Sequence, residues 1–383
     1  MADSNQIKNI AIVGASGQVG SSVLKHLLKS PKGFKITVIT RTDSQATFPS
    51  SVTVKKGTYD DAQFMEDAFK GQDAAIFALH FSAQAAQDGM LDAAAKAGVK
   101  WLIPNEYAGD GMNEAMMKAA PAFAPKLQSR KHIEELSKTY EGVKWIGVTT
   151  NPFFESFLVN SSKVFGINTA AHTATIYPDA GRFNTSTLDR IGLSVTRMLS
   201  LPITDSSNPR ASLQHYANNF LYTSSYCVTQ SELLQAIQKA KGESEADWTV
   251  TKDKTVKGSI EQSEAAMKEG NFQAGFALVG QVFRENMSPR CASANVRAIS
   301  EIVSTQDATA LVPRVFCALT TIYSLRENIR KPLANPNDLA VYRYIGEGLG
   351  GNYEDKAQED RKALGLEAEQ DSFEAAVKRV LKV

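Results

Sequence analysis

Gly14, Gly17 and Gly20 recur every third residue in AIVGASGQVGSS, where an apolar, β-branched run ends. This pattern has a chemical use. A strand that stops sharply, a backbone that lets a ligand approach and a helix that offers its free N–H groups together bind a pyrophosphate. The spacing G-x-x-G-x-x-G makes the turn one residue longer than the usual G-x-G-x-x-G fingerprint, and three glycines alone are weak evidence. Their context is stronger, because a predicted strand precedes them and the helix SSVLKHLL follows. Gly14, Ser16, Gly17, Gln18, Val19 and Gly20 are therefore expected to hold a dinucleotide. The next strand ends VITRTDS, and where an NAD site places an acid for the ribose hydroxyls this chain has Thr40, then Arg41. A guanidinium forks onto a phosphate, and Thr42 and Ser44 add donors, so the expected cofactor is NADP(H) rather than NAD. Asp43 argues for a ribose instead, and an ordinary solvated arginine is the plain alternative.

A second pattern offers different chemistry. TYEGVKW places Tyr140 and Lys144 at the Tyr-x-x-x-Lys spacing of ordinary short-chain dehydrogenases, a chemistry that needs both side chains on one helical face. Gly142 intervenes and Val143 to Thr150 reads as a strand, so the two residues belong to different elements and the pair is a decoy. The histidines His26, His80, His132, His172 and His215 have no metal-ligand spacing, and there is no HExxH, no DxDxDG and no GxSxG elbow. No metal site is expected.

The elements that must position these residues are legible over the first 150 positions. Runs at Asn9 to Ala15, Lys35 to Thr40, Ser51 to Gly57, Ala74 to Leu79, Lys100 to Asn105 and Lys144 to Thr150 read as strands. Helical patterns lie between them, two of them closing on Gly71 and Gly98. Strands joined by such crossovers make a doubly wound parallel α/β sheet, a Rossmann fold. After Asn151 the rhythm breaks into short apolar runs and polar stretches, and from Ser231 it is mainly helical. The expected division is a nucleotide-binding domain over 1–155, with later segments returning to it, and a smaller, mainly helical substrate domain with a C-terminal extension over 156–383.

Composition excludes other classes. The chain has 383 residues, 43% hydrophobic, enough for a large core, and its net charge of +1 gives no reason to expect a nucleic-acid partner, which needs a concentrated basic face, though local patches stay open. Cys227, Cys291 and Cys317 are odd in number and widely spaced, which fits a reducing compartment. With no signal segment or membrane-length apolar run, a cytoplasmic protein is expected, acting on a small molecule without membrane or nucleic-acid partners; its oligomeric state is open.

At this point the residues resemble a known group. AIVGASGQVG, ITR, KGTYDDAQFMEDAFKGQDAAIFAL, AGVKWLIPNEYAGD, PKLQSRKHIEEL and TTNPFFESFL occur in the order found in the NmrA-like/isoflavone reductase-like family of atypical short-chain dehydrogenases, most similar to its fungal CipA-like members. The match runs from about Asn9 to Leu158. The resemblance implies an NADPH-dependent reductase of a small aromatic or conjugated metabolite, of the kind found in secondary metabolism. It also implies a catalytic lysine in place of the usual tyrosine, and APKLQSRKHIEEL puts Lys126 in that position, before Arg130 and Lys131. A lysine partly desolvated beside a nicotinamide loses pKa and can pass a proton to substrate. From the residue alone, Lys126 reads as an ordinary surface lysine.

Other positions follow from where an open α/β sheet binds ligands, at the strand C-termini. Leu79, Asn151 and Phe153 are expected to touch the cofactor with Lys126, and His80, Tyr107 and Phe154 the substrate. Each has a plainer reading as packing material. PNEYAGD replaces the plant reductases' PSEFG, so substrate preference does not carry over. The alternative function is an NmrA-like redox sensor that binds the dinucleotide and reports to a protein partner without catalysis.

Overall fold

A computed structural model describes residues 5–113, 117, 124–160, 165–269, 353–367 and 371–383. Its first half alternates β1 (Asn9–Val13), α1 (Gln18–Lys29), β2 (Lys35–Arg41), β3 (Thr53–Gly57), α2 (Ala62–Phe69), β4 (Ala74–Phe77), α3 (Gln87–Lys96), β5 (Trp101–Ile103), α4 (Ala124–Thr139) and β6 (Lys144–Thr149). The six expected strands are present. The expected helix ends are too, since Gly71 and Gly98 adopt positive φ (75° and 89°) one residue beyond the caps of α2 and α3.

A seventh strand comes from much later in the chain. After α5 (Phe154–Asn160), β7 (Ile167–Asn168), β8 (Thr173–Thr175), β9 (Phe183–Thr185) and α6 (Leu188–Leu199), the chain returns as β10 (Asn219–Tyr222) and pairs parallel with β6. The sheet order is β10-β6-β5-β4-β1-β2-β3, every neighbouring pair parallel. Strand order reverses between β1 and β4, which puts a ligand crevice above their carboxyl ends.

The strand sequences follow from position in this sheet. β1 and β4 are central, and Ile10 to Val13 and Ala74 to Phe77 are wholly buried, as a strand covered on both faces demands. β3 is an edge, and its TVKKG is half-buried to exposed throughout, with Lys56 exposed, a residue that discourages pairing with another chain. Helix α1 lays Val19, Val23, Leu24 and Leu27 onto the sheet, each side chain contributing about 1.5–3 kcal/mol by burial. Helix α6 packs beside α1, and Ser22 donates to the carbonyl of Leu188 at 2.6 Å.

The remaining described elements are β11 (Tyr226–Val228), α7 (Gln230–Lys241), β12 (Thr249–Thr251), α8 (Val256–Lys268), α9 (Glu354–Ala363) and α10 (Phe373–Leu381). A second core collects Phe154, Phe165, Phe183, Leu233, Ile237 and Trp248, with α10 against α7. Besides helices this part carries two small sheets, β11-β9 and β12-β8-β7, which sequence patterning had not separated from loop. Helix α9 instead joins the large sheet. The carboxylate of Asp360 accepts the edge amide of Tyr222 at 2.6 Å, and the Tyr353 hydroxyl donates to Thr223 at 2.9 Å.

Candidate functional site

The turn after β1 is built as its sequence requires. Gly14 has φ +84°, and a Cβ there would stand 2.2 Å from the carbonyl oxygen of Ala78, just past β4. A Cβ on Gly20 would stand 2.2 Å from the carbonyl oxygen of Gly14. These two glycines let β1, β4 and α1 converge at the strand-order reversal. Gly17 is the N-cap of α1 and makes no side-chain cap, so the amides of Gln18, Val19 and Gly20 begin the helix without intrahelical acceptors. Ser16, Gly17 and Gln18 are exposed there while Val19 and Gly20 are buried beneath them. An amide-lined helix start with the partial positive charge of its dipole fits a pyrophosphate.

Arg41 closes β2, the next strand of the chain and the neighbour of β1 in the sheet, and is exposed, its Nε 3.5 Å from the Asp43 carboxylate. Thr42 beside it is exposed as well. Lys56, in register with Thr40, donates to the carbonyl of Ser44 at 2.8 Å and so folds the loop that carries Arg41 and Thr42. At two-thirds exposure the Arg41–Asp43 pair is worth little on its own and leaves the guanidinium available to a phosphate.

A chain of contacts joins the glycine turn to Lys126. Leu79 follows Ala78, the residue pressed against Gly14, and its amide donates to the side-chain oxygen of Asn105 at 3.1 Å. The main-chain carbonyl of that same Asn105 accepts the ammonium of Lys126, in the first turn of α4. Asn105 is itself fixed on every side. Its amide donates to Gln87 Oε1 at 2.6 Å, its Nδ2 to Gln84 Oε1 at 2.8 Å, and Gln87 in turn donates to Ser129 at 2.7 Å, which donates to Asp88. Lys126 is half-buried, and that desolvation holds its pKa below the ordinary lysine value; Glu106 opposes the shift and Arg130 reinforces it.

One helical turn on, Arg130 pairs with the buried Glu106 at 3.3 Å, donates to the carbonyl of Gly111 and stacks over Phe220 at 4.9 Å from its centroid. Sequence reasoning had ended the fifth strand at Asn105 without giving that residue a role. It named Arg130 only as part of the basic pair that marks Lys126, and it missed Gln84, Gln87 and Ser129. One signal was available: Gln87 lies on the stripe shared by Met90, Leu91 and Ala94, and a buried polar residue on an apolar helix face must have a partner.

The other expected positions divide. Asn151 is buried with φ +52°, its amide bonded to the carbonyl of Ala108, at the end of β6. Phe153 is half-buried and bridges to Ser186, whereas Phe154 is fully buried in the second core, edge-on to Tyr226 at 5.4 Å. His80 is exposed beside Leu79. Tyr107 is buried, its hydroxyl has no partner among the described residues, and burial raises its pKa. Tyr140 follows the end of α4 and Lys144 opens β6, separated by Gly142 at φ +77°, so the Tyr-x-x-x-Lys spacing spans two elements as expected. No helix among the described residues is long and apolar enough to cross a membrane.

Comparison with known proteins agrees with this architecture. The model of the NmrA-like family matches residues 6–175. Oxidoreductase aprR of Aspergillus flavus is 30% identical over 245 residues, 63% of this chain and 75% of that protein. Oxidoreductase poxI of Penicillium oxalicum is 30% identical over 294 residues, 73% of this chain and 83% of that one. Among solved structures, an isoflavone reductase superposes with a TM-score of 0.54 at 19% identity, over 72% of this chain and 86% of that one. A triphenylmethane reductase from Citrobacter sp. gives 0.55 at 16% identity, over 98% of this chain and 100% of that one. Those two likenesses establish the fold, and the family match with its 30% identical relatives establishes the lineage: the chain belongs to the NmrA-like family.

Proposed function

We propose that the protein is an NADPH-dependent oxidoreductase that reduces a small aromatic or conjugated metabolite, with Lys126 as the group that holds and delivers the proton. The relatives aprR and poxI are named oxidoreductases, and fold neighbours carry the names isoflavone reductase and triphenylmethane reductase. The observation that carries the reading is the junction at Asn105, which ties a half-buried lysine to the glycine turn through a single residue.

The residues fit the cofactor. Gly14 and Gly20 shape the turn, Ser16, Gly17, Gln18 and Val19 would offer the helix amides to its pyrophosphate, the exposed Arg41 and Thr42 would hold a 2′-phosphate, and Leu79, Asn151 and Phe153 would border it at the strand ends. When bound, the reduced nicotinamide supplies the hydride. The remaining work belongs to the chain. Asn105 fixes the direction of the Lys126 ammonium by accepting one of its hydrogens, leaving the other two for a substrate oxygen or an intervening water. Burial lowers the cost of giving up that proton, and the Glu106–Arg130 pair holds the first two turns of α4 against β5 while it moves. His80 and Tyr107 flank this end of the sheet, where they border a substrate. The domain beyond residue 155 supplies the rest of the substrate's surroundings.

The test is Lys126→Ala, assayed by NADPH oxidation against a panel of aromatic and conjugated carbonyl compounds. Turnover should vanish into background while NADPH still binds. Unchanged turnover would remove Lys126 from the chemistry.

A further inference from the structure

Helix α9 lies far from α4 in sequence, yet it reaches the loop that precedes α4. Asp110, in that loop, is buried to 5% exposure and its carboxylate meets three donors. The Tyr222 hydroxyl donates at 2.8 Å, the amide of Met112 at 3.0 Å, and Lys356 of α9 at 2.9 Å. Lys356 is also 3.2 Å from the Tyr222 hydroxyl and 4.5 Å from the centre of its ring. The next residue, Gly111, gives its carbonyl to Arg130, the arginine that pairs with Glu106 beside Asn105. The loop is thus gripped from two directions, by α4 itself and by α9.

We infer that Lys356 is a positioning residue for the reductase site: by neutralising buried Asp110 it clamps the loop at 110–113 and so fixes where α4 presents Lys126. A buried carboxylate is stable only when its charge is met, and among the described residues Lys356 is the cation that meets it directly. Removing that ammonium leaves Asp110 with hydroxyl and amide donors and, among the described residues, no ion-pair partner. The loop then relaxes toward water, and with it the start of α4 that holds Lys126 under Asn105. Helix α9 is well placed to act in this way because it is fixed independently, through Asp360 on Tyr222 and Tyr353 on Thr223, and through Glu354 on Asn184 at 2.6 Å.

The inference rests on the reductase reading, in which Lys126 carries the proton, and its test separates the two. In the full chain, Lys356→Met keeps the aliphatic stem over Tyr222 and removes the charge, Lys356→Arg restores the charge, and Asp110→Asn removes the opposite partner. Hydrogen exchange followed by mass spectrometry should find the amides of 106–113 and 126–131 about tenfold faster in Lys356→Met and Asp110→Asn, with β1 and α1 unaffected. Competitive acetylation of Lys126 with acetic anhydride across a pH series gives a second readout. Its midpoint should move up toward an ordinary lysine in both variants, as water reaches the amine, and return in Lys356→Arg. Unchanged exchange and an unchanged midpoint in Lys356→Met would overturn the clamp. NADPH titration of the unaltered protein decides the reductase reading separately, since neither readout of the clamp uses nucleotide.

Discussion

Lys126 and Leu79 meet on one residue: the ammonium donates to the main-chain carbonyl of Asn105, and the Leu79 amide donates to its side-chain oxygen at 3.1 Å. Because Leu79 is joined to the residue that presses on Gly14, Asn105 links the glycine turn to Lys126, the proton carrier of the proposed reaction. A positioned general acid is worth about 10²–10⁴ in rate.

The pH profile of turnover should reflect Lys126. The ammonium form carries the proton, so turnover falls as pH rises through the pKa of this group, and desolvation brings that fall below the ordinary lysine range. Lys126→Ala should lose about 10²–10⁴ in kcat together with this limb, while NADPH affinity holds within about twofold. An identical limb in the variant would assign it to another group.

Gly14 and Gly33 separate crowding from backbone strain. Both have positive φ, +84° and +63°, but a Cβ on Gly14 meets Ala78 at 2.2 Å while one on Gly33 meets nothing within 4 Å. Gly33→Ala should cost about 1 kcal/mol, the left-handed penalty alone. Gly14→Ala should cost at least about 3 kcal/mol or prevent folding, because two strands must move apart. Urea midpoints compare the two, and equal losses would mean the turn is slack.

Much of this was legible in the chain, and what was hidden has a common physical reason. The glycine turn, the six strands and the broken Tyr-x-x-x-Lys pair are local: each depends on periodicity or a conformational need within a few residues. The return of β10 to the sheet and the docking of α9 on it are not. NFLY is a short run that periodicity cannot assign to one sheet over another, and EDKAQEDRKA is polar enough to read as a solvated helix. Its buried contacts are carried by Ala357 and by Asp360, whose partner Tyr222 is 138 residues away. Likewise the pairing of Glu106 with Arg130 joins a strand end to a helix across 24 residues, and no spacing rule links them. Residues 270–352, read from the sequence as part of a mainly helical stretch, and with them two of the three cysteines, Cys291 and Cys317, lie outside the described residues.

Asp360 makes stability depend on pH in an unusual direction. Burial pushes its carboxyl up to about 7, against the pull of the Tyr222 amide and the Tyr216 hydroxyl and aided by neighbouring Glu359. An acid whose folded pKa is raised binds its proton more tightly when folded. Its contribution is complete below the unfolded value of about 4 and is lost as pH rises to about 7. The change is on the order of a few kcal/mol, and it acts on the docking of α9. Thermal melts from pH 4 to 8 should show a decline that Asp360→Asn flattens, since a neutral amide oxygen still accepts from Tyr222. A decline of the same size in the variant would place the dependence elsewhere.

The most direct test of the account is calorimetric titration of NADPH, NADP⁺, NADH and NAD⁺ into the protein and into Arg41→Leu. A charge-assisted bond from Arg41 to a 2′-phosphate is worth about 1.5–3 kcal/mol, so NADPH should bind roughly 10- to 100-fold more tightly than NADH, and Arg41→Leu should remove that difference while leaving NADH affinity unchanged. Equal or tighter binding of NADH, or a preference for the oxidised nucleotides of the kind a redox sensor would show, would contradict the NADPH-dependent reductase, and no binding at all would contradict the reading of the glycine turn itself.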